Sequence, residues 1–477
     1  MNMNRISLVA TTLLVLPLVF GLQIASPSRA DDDLVKSVSD LVCDKDKDVR
    51  AVGLEQVRDE VKGAPATLRF AALLPKLAPE AQVGLLGALA ERGDAAARPA
   101  VLDLLGDSHA EVRGAAIRAL GALGDKGDVP RLVKLLAAAD SQKDAVAAIT
   151  HLHGADVNAA LCDELKTAVP AQRVRLLQLL VVRHAVDSVP KLFEVSKDSD
   201  AKVRVAAMEA LGQLAGPELT ARLAREILDA KDAVAREEAE RSLALIARRD
   251  PKDRDPGVTL LKVMAGMSES DTTKLLPALG RIGGPSARKV VDAALTSGDT
   301  LRHWVALVAL CNWPDGSVAP RLVELVRAMD DSRKNDESPR KLDAAGVRTV
   351  LVDALIRIAP LPDKRSDAAR LAMLKQAMEL AQSNEQKAMV LKRAPAIRSL
   401  ETLRFVAPYM DQPQFAQLAC KSVVELAHHK DLRQPNKNEF DKALNRVLAL
   451  SKDPEVILRA NHYLKNETWV EKQTKVK

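Results

Sequence analysis

Aromatic side chains are scarce in this sequence: three Trp, two Tyr and six Phe serve 477 residues, or 2%. A compact domain with a thick core relies on such rings to fill its volume. Their scarcity argues for thin layers built from Ala, Leu and Val that approach closely. The apolar share is still 47%, which excludes a mainly disordered chain. Ala, Leu, Arg, Lys and Glu are strong helix formers, so the composition leans to α-helix. Cysteine is equally sparse. Cys43, Cys162, Cys311 and Cys420 lie 119, 149 and 109 residues apart. A disulfide needs Cα atoms within about 7 Å, whereas helices stacked at about 8–10 Å per layer carry such separations to roughly 30 Å or more. Four free thiols are expected, mostly buried as small apolar side chains. After residue 30 no run is long and apolar enough to cross a bilayer.

The first thirty residues stand apart. "MNMNRISLVATTLLVLPLVFGLQIASPSRADDD" carries Arg5 and then no charge until Arg29, with Ser28 and Ala30 just before Asp31. That is the order of a secretory signal peptide. Residues 6–24 approach the length of a spanning helix, so a retained anchor is the alternative. Pro17 inside the apolar run and the acidic start at Asp31 favour cleavage. The expectation is an exported chain, periplasmic or secreted, with residues 1–30 removed and no membrane span left.

Positive charge is in small surplus and unevenly placed. The chain carries +6, and residues 31–477 carry +4. Residues 361–477 alone hold 21 Lys and Arg against 14 Asp and Glu, which leaves residues 31–360 slightly acidic. This is too weak for a nucleic-acid footprint, and single-strand binders interleave aromatic with basic residues. No nucleic-acid partner is expected.

What the chain has in quantity is repetition. "DSHAEVRGAAIRALG" (107–121) returns as "DSDAKVRVAAMEALG" (198–212), and related lines begin at Asp46, Asp140 and Asp229, with "AGVRTVLVDALIRIA" at 345–359. The period is near 31 residues. That length fits two helices of about 12 residues with two short turns, and a fixed period of this size signals a solenoid. Asp107 and Asp198 are placed to cap the helices that follow. Val112, Ala116, Ala119 and Leu120, and likewise Val203, Ala207, Ala210 and Leu211, form one apolar stripe. Arg113 and Arg204 sit at its edge, where they can reach an acid or a helix C-terminus in the next repeat. Arg236 and Arg348 are their counterparts. Gly121, Gly124, Gly212 and Gly216 read as helix ends, and Pro130, Pro190 and Pro217 as helix starts. The pattern resembles HEAT repeats, in the short form also found in phycobilin lyases, closely over 42–250 and loosely over 258–477. The resemblance implies an all-α solenoid of paired antiparallel helices. It implies little about function.

The expected organisation is a leader (1–30), an N-terminal array (31–250), middle repeats (258–330), a charged mobile loop (331–343) and a basic C-terminal array with its cap (344–477). Chemistry is hard to find in it. His151 and His153 point to different sides of a helix, and His428 and His429 are neighbours at a helix end. Neither pair makes a metal-binding face. The His-Glu dipeptides with which deoxyhypusine hydroxylases hold iron do not occur. Phosphate-loop, dinucleotide, G-x-S-x-G and H-E-x-x-H motifs are missing, and "GRIGGPS" (280–286) reads as a turn. No catalytic residue, metal or cofactor is expected. The favoured function is a non-enzymatic scaffold for a protein or peptide, with an enzyme or enzyme-associated subunit, its site assembled from distant repeats, as the alternative. The basic C-terminal stretch also holds Phe405, Tyr409, Phe415 and Trp469. Aromatic and Arg residues are enriched at hot spots, and positive charge favours an acidic partner. These four are the candidate partner-binding residues. Closure of the last hydrophobic layer is the competing role for the same rings.

Overall fold

The computed structural model describes residues 29–154, 156–249, 255–335, 341–467 and 469. The expected leader lies outside them except for its last two residues, which open the helix Arg29–Val42. Among the described residues all regular structure is helical, no α-helix exceeds 18 residues, and short 3-10 turns join several of them. No described helix is long and apolar enough to cross a membrane.

The chain forms two compact units that divide between Gln172 and Arg173. The expected boundary near 250 instead lies inside the second unit. Within each unit, helices alternate between two rows. The first row contains Lys47–Asp59, Pro79–Arg92, Ala110–Leu123 and Gln142–His151 in the first unit. In the second unit it contains Ala201–Leu214, Ala233–Ala247, Glu269–Ile282, Thr300–Cys311, Lys341–Ile358 and Asn384–Arg393, followed by Ala416–His428 and Lys437–Leu450. Intervening helices such as Thr220–Leu228, Gly257–Met264 and Pro285–Leu295 form the second row.

The repeated line is the first-row helix. Its stripe is buried in both copies, at Val112, Ala116, Ala119 and Leu120 and at Val203, Ala207, Ala210 and Leu211. Alanine keeps the rows thin. At some crossings even alanine is too large. A Cβ on Gly121 would stand 2.8 Å from Ala148 Cα and 3.0 Å from its carbonyl oxygen. On Gly212 it would stand 2.9 Å from Ser242 Cα. Gly121 and Gly212 are therefore not helix ends. They lie inside Ala110–Leu123 and Ala201–Leu214, where the next first-row helix crosses. Gly124 does close its helix, and Gly216 precedes a 3-10 turn begun by Pro217. Pro130 and Pro190 sit in the first turn of Val129–Leu135 and Val189–Val195, where a missing amide costs nothing.

The aspartates that open the line are set one step further back than expected. Asp107 and Asp198 accept from the amides of His109 and Asp200, each at 2.8 Å, and so shape the turn. The helix N-caps are His109 and Asp200. Asp200 makes the cap bonds, to the amides of Lys202 and Val203. The extra residues form an Asx turn that frees carbonyls for the arginine described below.

The charged loop expected over 331–343 is shorter than that. Ala319–Asn335 runs into it from one side and Lys341–Ile358 from the other. Residues 336–340 lie outside the described set, as do 250–254. All four cysteines are free, but only Cys420 is fully buried and Cys43 is exposed. Burial pushes the Cys311 thiol up to about 12 despite the nearby Arg357.

Candidate binding surface

A repeated arginine joins first-row helices to one another. Arg113 donates to the carbonyls of Asp107 and Ser108 at 2.8 and 3.1 Å, and to the Asp140 carboxylate of the next repeat at 3.0 Å. Arg204 repeats this with the carbonyls of Asp198 and Ser199 at 3.0 and 2.9 Å, and with the Asp232 carboxylate. Arg50 does so with Asp44 and Lys45, reaching Glu80 at 3.7 Å. Each stands four residues after its N-cap (Asp46, His109, Asp200), so one guanidinium ties a turn to the following helix. These are charge-assisted bonds. The Arg113 bond holds the Asp140 carboxyl below its ordinary value.

Two arginines expected in the same series depart from it. Arg348 is buried and grips Asp330 with two bonds, at 2.7 and 3.0 Å, while donating to the Leu380 carbonyl at 3.0 Å. It ties Ala319–Asn335 to the end of Asp367–Leu380, which are second-row helices, because Asp330 comes 18 residues before it. Arg236 also stands four residues after its N-cap, Asp232. Its side chain makes no hydrogen bond or ion pair with a described residue. The acid of the next repeat, Glu269, is held instead by Arg302 at 2.9 Å.

Arg236 is thereby left on a groove of about 480 Å³ that runs over Ala233–Ala247, Glu269–Ile282 and Thr300–Cys311. Glu240, Thr273, Pro277, Leu301 and Val305 line it with Arg236. Pro277 lies inside its helix and has no amide, so the Thr273 carbonyl receives no i+4 bond. Glu240 is paired with Arg281 at 3.1 Å. Burial nevertheless pushes its carboxyl up, more than Arg281 pulls it down. At the rim Leu301 is 66% exposed, and Trp304, one turn along the same helix, is 46% exposed. The sequence reading missed this pair. The available signal was that "TLRHWVALVALC" is apolar on two sides. Ala306, Leu307, Ala309 and Leu310 are buried, which leaves Leu301, Trp304 and Val305 on the open side. A helix apolar nearly all round that is not fully buried presents an apolar face.

The four candidate aromatics do not form one set. Phe405, Tyr409 and Phe415 make an edge-to-face cluster, with centroids 5.9 Å apart for the first pair and 6.0 Å for the second. Phe405 and Tyr409 are half-buried and Phe415 is buried. Lys375 Nζ lies 5.9 Å over the Phe405 ring. Trp469 is half-buried and packs on His462 at 5.4 Å, after the last helix. The remaining C-terminal rings, Phe440 and Tyr463, are in the core. His428 Nδ1 meets the Tyr463 hydroxyl at 2.9 Å. No group of three or more His, Cys, Asp or Glu among the described residues is arranged to hold a metal ion.

Two rows of short helices, packed repeat on repeat and joined at equivalent positions, define an all-α protein of the solenoid class. Residues 67–152 match the family of HEAT repeats. Comparison with curated proteins gives no match. Human deoxyhypusine hydroxylase, solved with glycerol, is 20% identical, over 60% of this chain and 97% of that one, with a TM-score of 0.24. The complex of CpcE and CpcF of phycocyanin lyase from a Nostoc species is 18% identical, over 63% of this chain and 100% of that one, with a TM-score of 0.22. Kap95p, solved with RanGDP, is 12% identical, over 93% and 62% of the two chains, with a TM-score of 0.35.

Proposed function

We propose that this chain is an exported, non-enzymatic repeat scaffold that holds a protein or peptide partner on the exposed surface of its first-row helices, in the periplasm or outside the cell. The observation that carries the reading is the groove beside Leu301 and Trp304. Leu301 is exposed there, Trp304 is exposed three residues along the same helix, and the Arg236 guanidinium has no ion-pair partner among the described residues. That combination offers a partner an apolar anchor and a donor. The buried positions of the repeat, by contrast, are occupied by contacts that hold helix to helix. Export rests on the leader read from the sequence.

A photo-crosslinking residue in place of Leu301, in the mature chain added to an exported fraction, tests the surface. A discrete protein adduct is expected, and Trp304→Ala should abolish it without changing the melting temperature by more than a degree or two. Adducts formed only from a crosslinker at position 409 would move the surface to the C-terminal aromatic cluster. No adduct from either position would remove the scaffold reading.

A further inference from the structure

A second pocket, of about 770 Å³, lies among three successive connections from first-row to second-row helices. They are the Gly283–Gly284 turn, the loop after Thr300–Cys311, and the loop that precedes Asp367–Leu380. The turn is the centre of "GRIGGPS". Both glycines have positive φ, 75° and 99°, and a Cβ on Gly283 would stand 2.7 Å from the Pro314 ring. The first two connections are thus pressed together, and only glycine fits there. Trp313, 1% exposed, forms the floor, its Nε1 donating to Ser317 Oγ at 3.1 Å. Pro285 lies on one wall.

The third connection supplies charge. Arg365 Nε donates to both Asp363 oxygens, at 2.9 and 2.8 Å, and Nη2 donates to the Ala359 carbonyl at 3.2 Å. Its remaining nitrogen, Nη1, is buried and closed to a ligand. Burial works against the Asp363 carboxylate, but bonds from Arg365 and from backbone amides hold its pKa below the ordinary value. Asp363 therefore stays ionised and committed to Arg365. Lys364, beside it, is exposed and makes no hydrogen bond or ion pair with a described residue. Arg288 is occupied by Asp292 at 2.6 Å, and Asp315 accepts from the Ser317 amide at 2.9 Å. Arg365 and Arg288 are thus committed to acids, which leaves Lys364 as the lining's cation with no acid partner among the described residues. One uncommitted charge suits a monoanion and not a polyphosphate.

We propose that this pocket binds a single carboxylate carried on an apolar or aromatic body. The carboxylate accepts from Lys364 Nζ, and the body lies in the pocket against Pro285, above Trp313. A pocket of about 300–1,000 Å³ with an apolar floor and a few convergent polar groups is the usual form of a small-ligand site. The carboxylate can come from a free organic acid or from the C-terminus of a peptide. The site stands whether or not the groove at Leu301 takes a partner.

Trp313 fluorescence reads the site directly in a mature chain carrying Trp304→Phe and Trp469→Phe. The probes are 3-(4-nitrophenyl)propionate, the matching uncharged 3-(4-nitrophenyl)propanol, and Gly-Gly-(4-nitro)Phe with a free or an amidated C-terminus. Saturable quenching by the propionate or by the free-acid peptide is expected, and which of the two binds tighter identifies the source. The alcohol and the amide should bind at least about tenfold more weakly, the loss of a hydrogen bond to a charged group. Lys364→Gln, at an exposed position that leaves the fold intact, should weaken the acids by about the same factor and leave the alcohol unchanged. Equal quenching by acid and alcohol, no saturable quenching by either acid, or unchanged acid affinity in Lys364→Gln would overturn the proposal.

Discussion

Replacing Gly121 by alanine and Gly87 by alanine should have opposite effects, although both glycines lie inside first-row helices of the same unit. Alanine at an unhindered helix position is worth about 0.5–1 kcal/mol over glycine, because the unfolded chain loses freedom and the helix gains propensity. Gly87 is exposed and a Cβ there meets nothing within 4 Å. Gly87→Ala should therefore stabilise by that amount. At Gly121 the new methyl would lie 2.8 Å from Ala148 Cα and 3.0 Å from its carbonyl oxygen. Both are backbone atoms, so no side chain can swing away and the two helices must separate. Overpacking of this kind costs about 1–3 kcal/mol, which offsets the propensity gain and leaves a net loss of up to about 2.5 kcal/mol. The difference between the two variants isolates the steric part. Urea unfolding of the mature chain by circular dichroism gives the global values. Hydrogen exchange on peptides spanning residues 79–151 shows whether the loss centres on the crossing of Ala110–Leu123 and Gln142–His151. A Gly121→Ala variant as stable as Gly87→Ala would show that the first-row helices do not touch at this glycine.

Other outcomes follow from the same contacts. Ala207 is fully buried, so Ala207→Leu should cost about 1–3 kcal/mol. Exposed Glu209→Gln should stay within about 0.5 kcal/mol, and equal melting of the two would mean the wrong face of the helix has been assigned. Asp140 has a depressed pKa because of Arg113. Its contribution is complete above the unfolded carboxylate value of about 3.9 and is lost as pH falls through the lower folded value. Melting curves from pH 5 to pH 2 should therefore fall less steeply for Arg113→Met than for the parent, and parallel curves would remove the bridge from the stability account. Tyr409 joins two other rings, so Tyr409→Ala should lower the melting temperature by several degrees. An unchanged melt with loss of partner capture would assign those rings to binding. Mass spectrometry of the native protein should find its first residue near Asp31, and an intact Met1 chain in the cytosol would refute export.

The repeat is a property of the local chain. Its period near 31 residues, the apolar stripe from Val112 to Leu120 and the prolines at helix starts are local properties of the chain. Helical periodicity decides them before any tertiary contact forms. The position of the arginine was legible for the same reason, since it directly follows the inward valine of the stripe. What that arginine reaches was not. Arg113 and Arg204 find an aspartate in the next repeat, Arg236 loses its acid to Arg302, and Arg348 turns back to Asp330. Those outcomes depend on which competing cation lies nearer in space, and a spacing rule cannot see that. Gly121 looked like a helix end because glycine does end helices, and only the approach of Ala148 shows that it marks a crossing. The groove beside Trp304 and the pocket over Trp313 were invisible for a deeper reason. Each is made by residues from three consecutive repeats. Periodicity brings those repeats into register, but their packing decides which side chains remain uncovered.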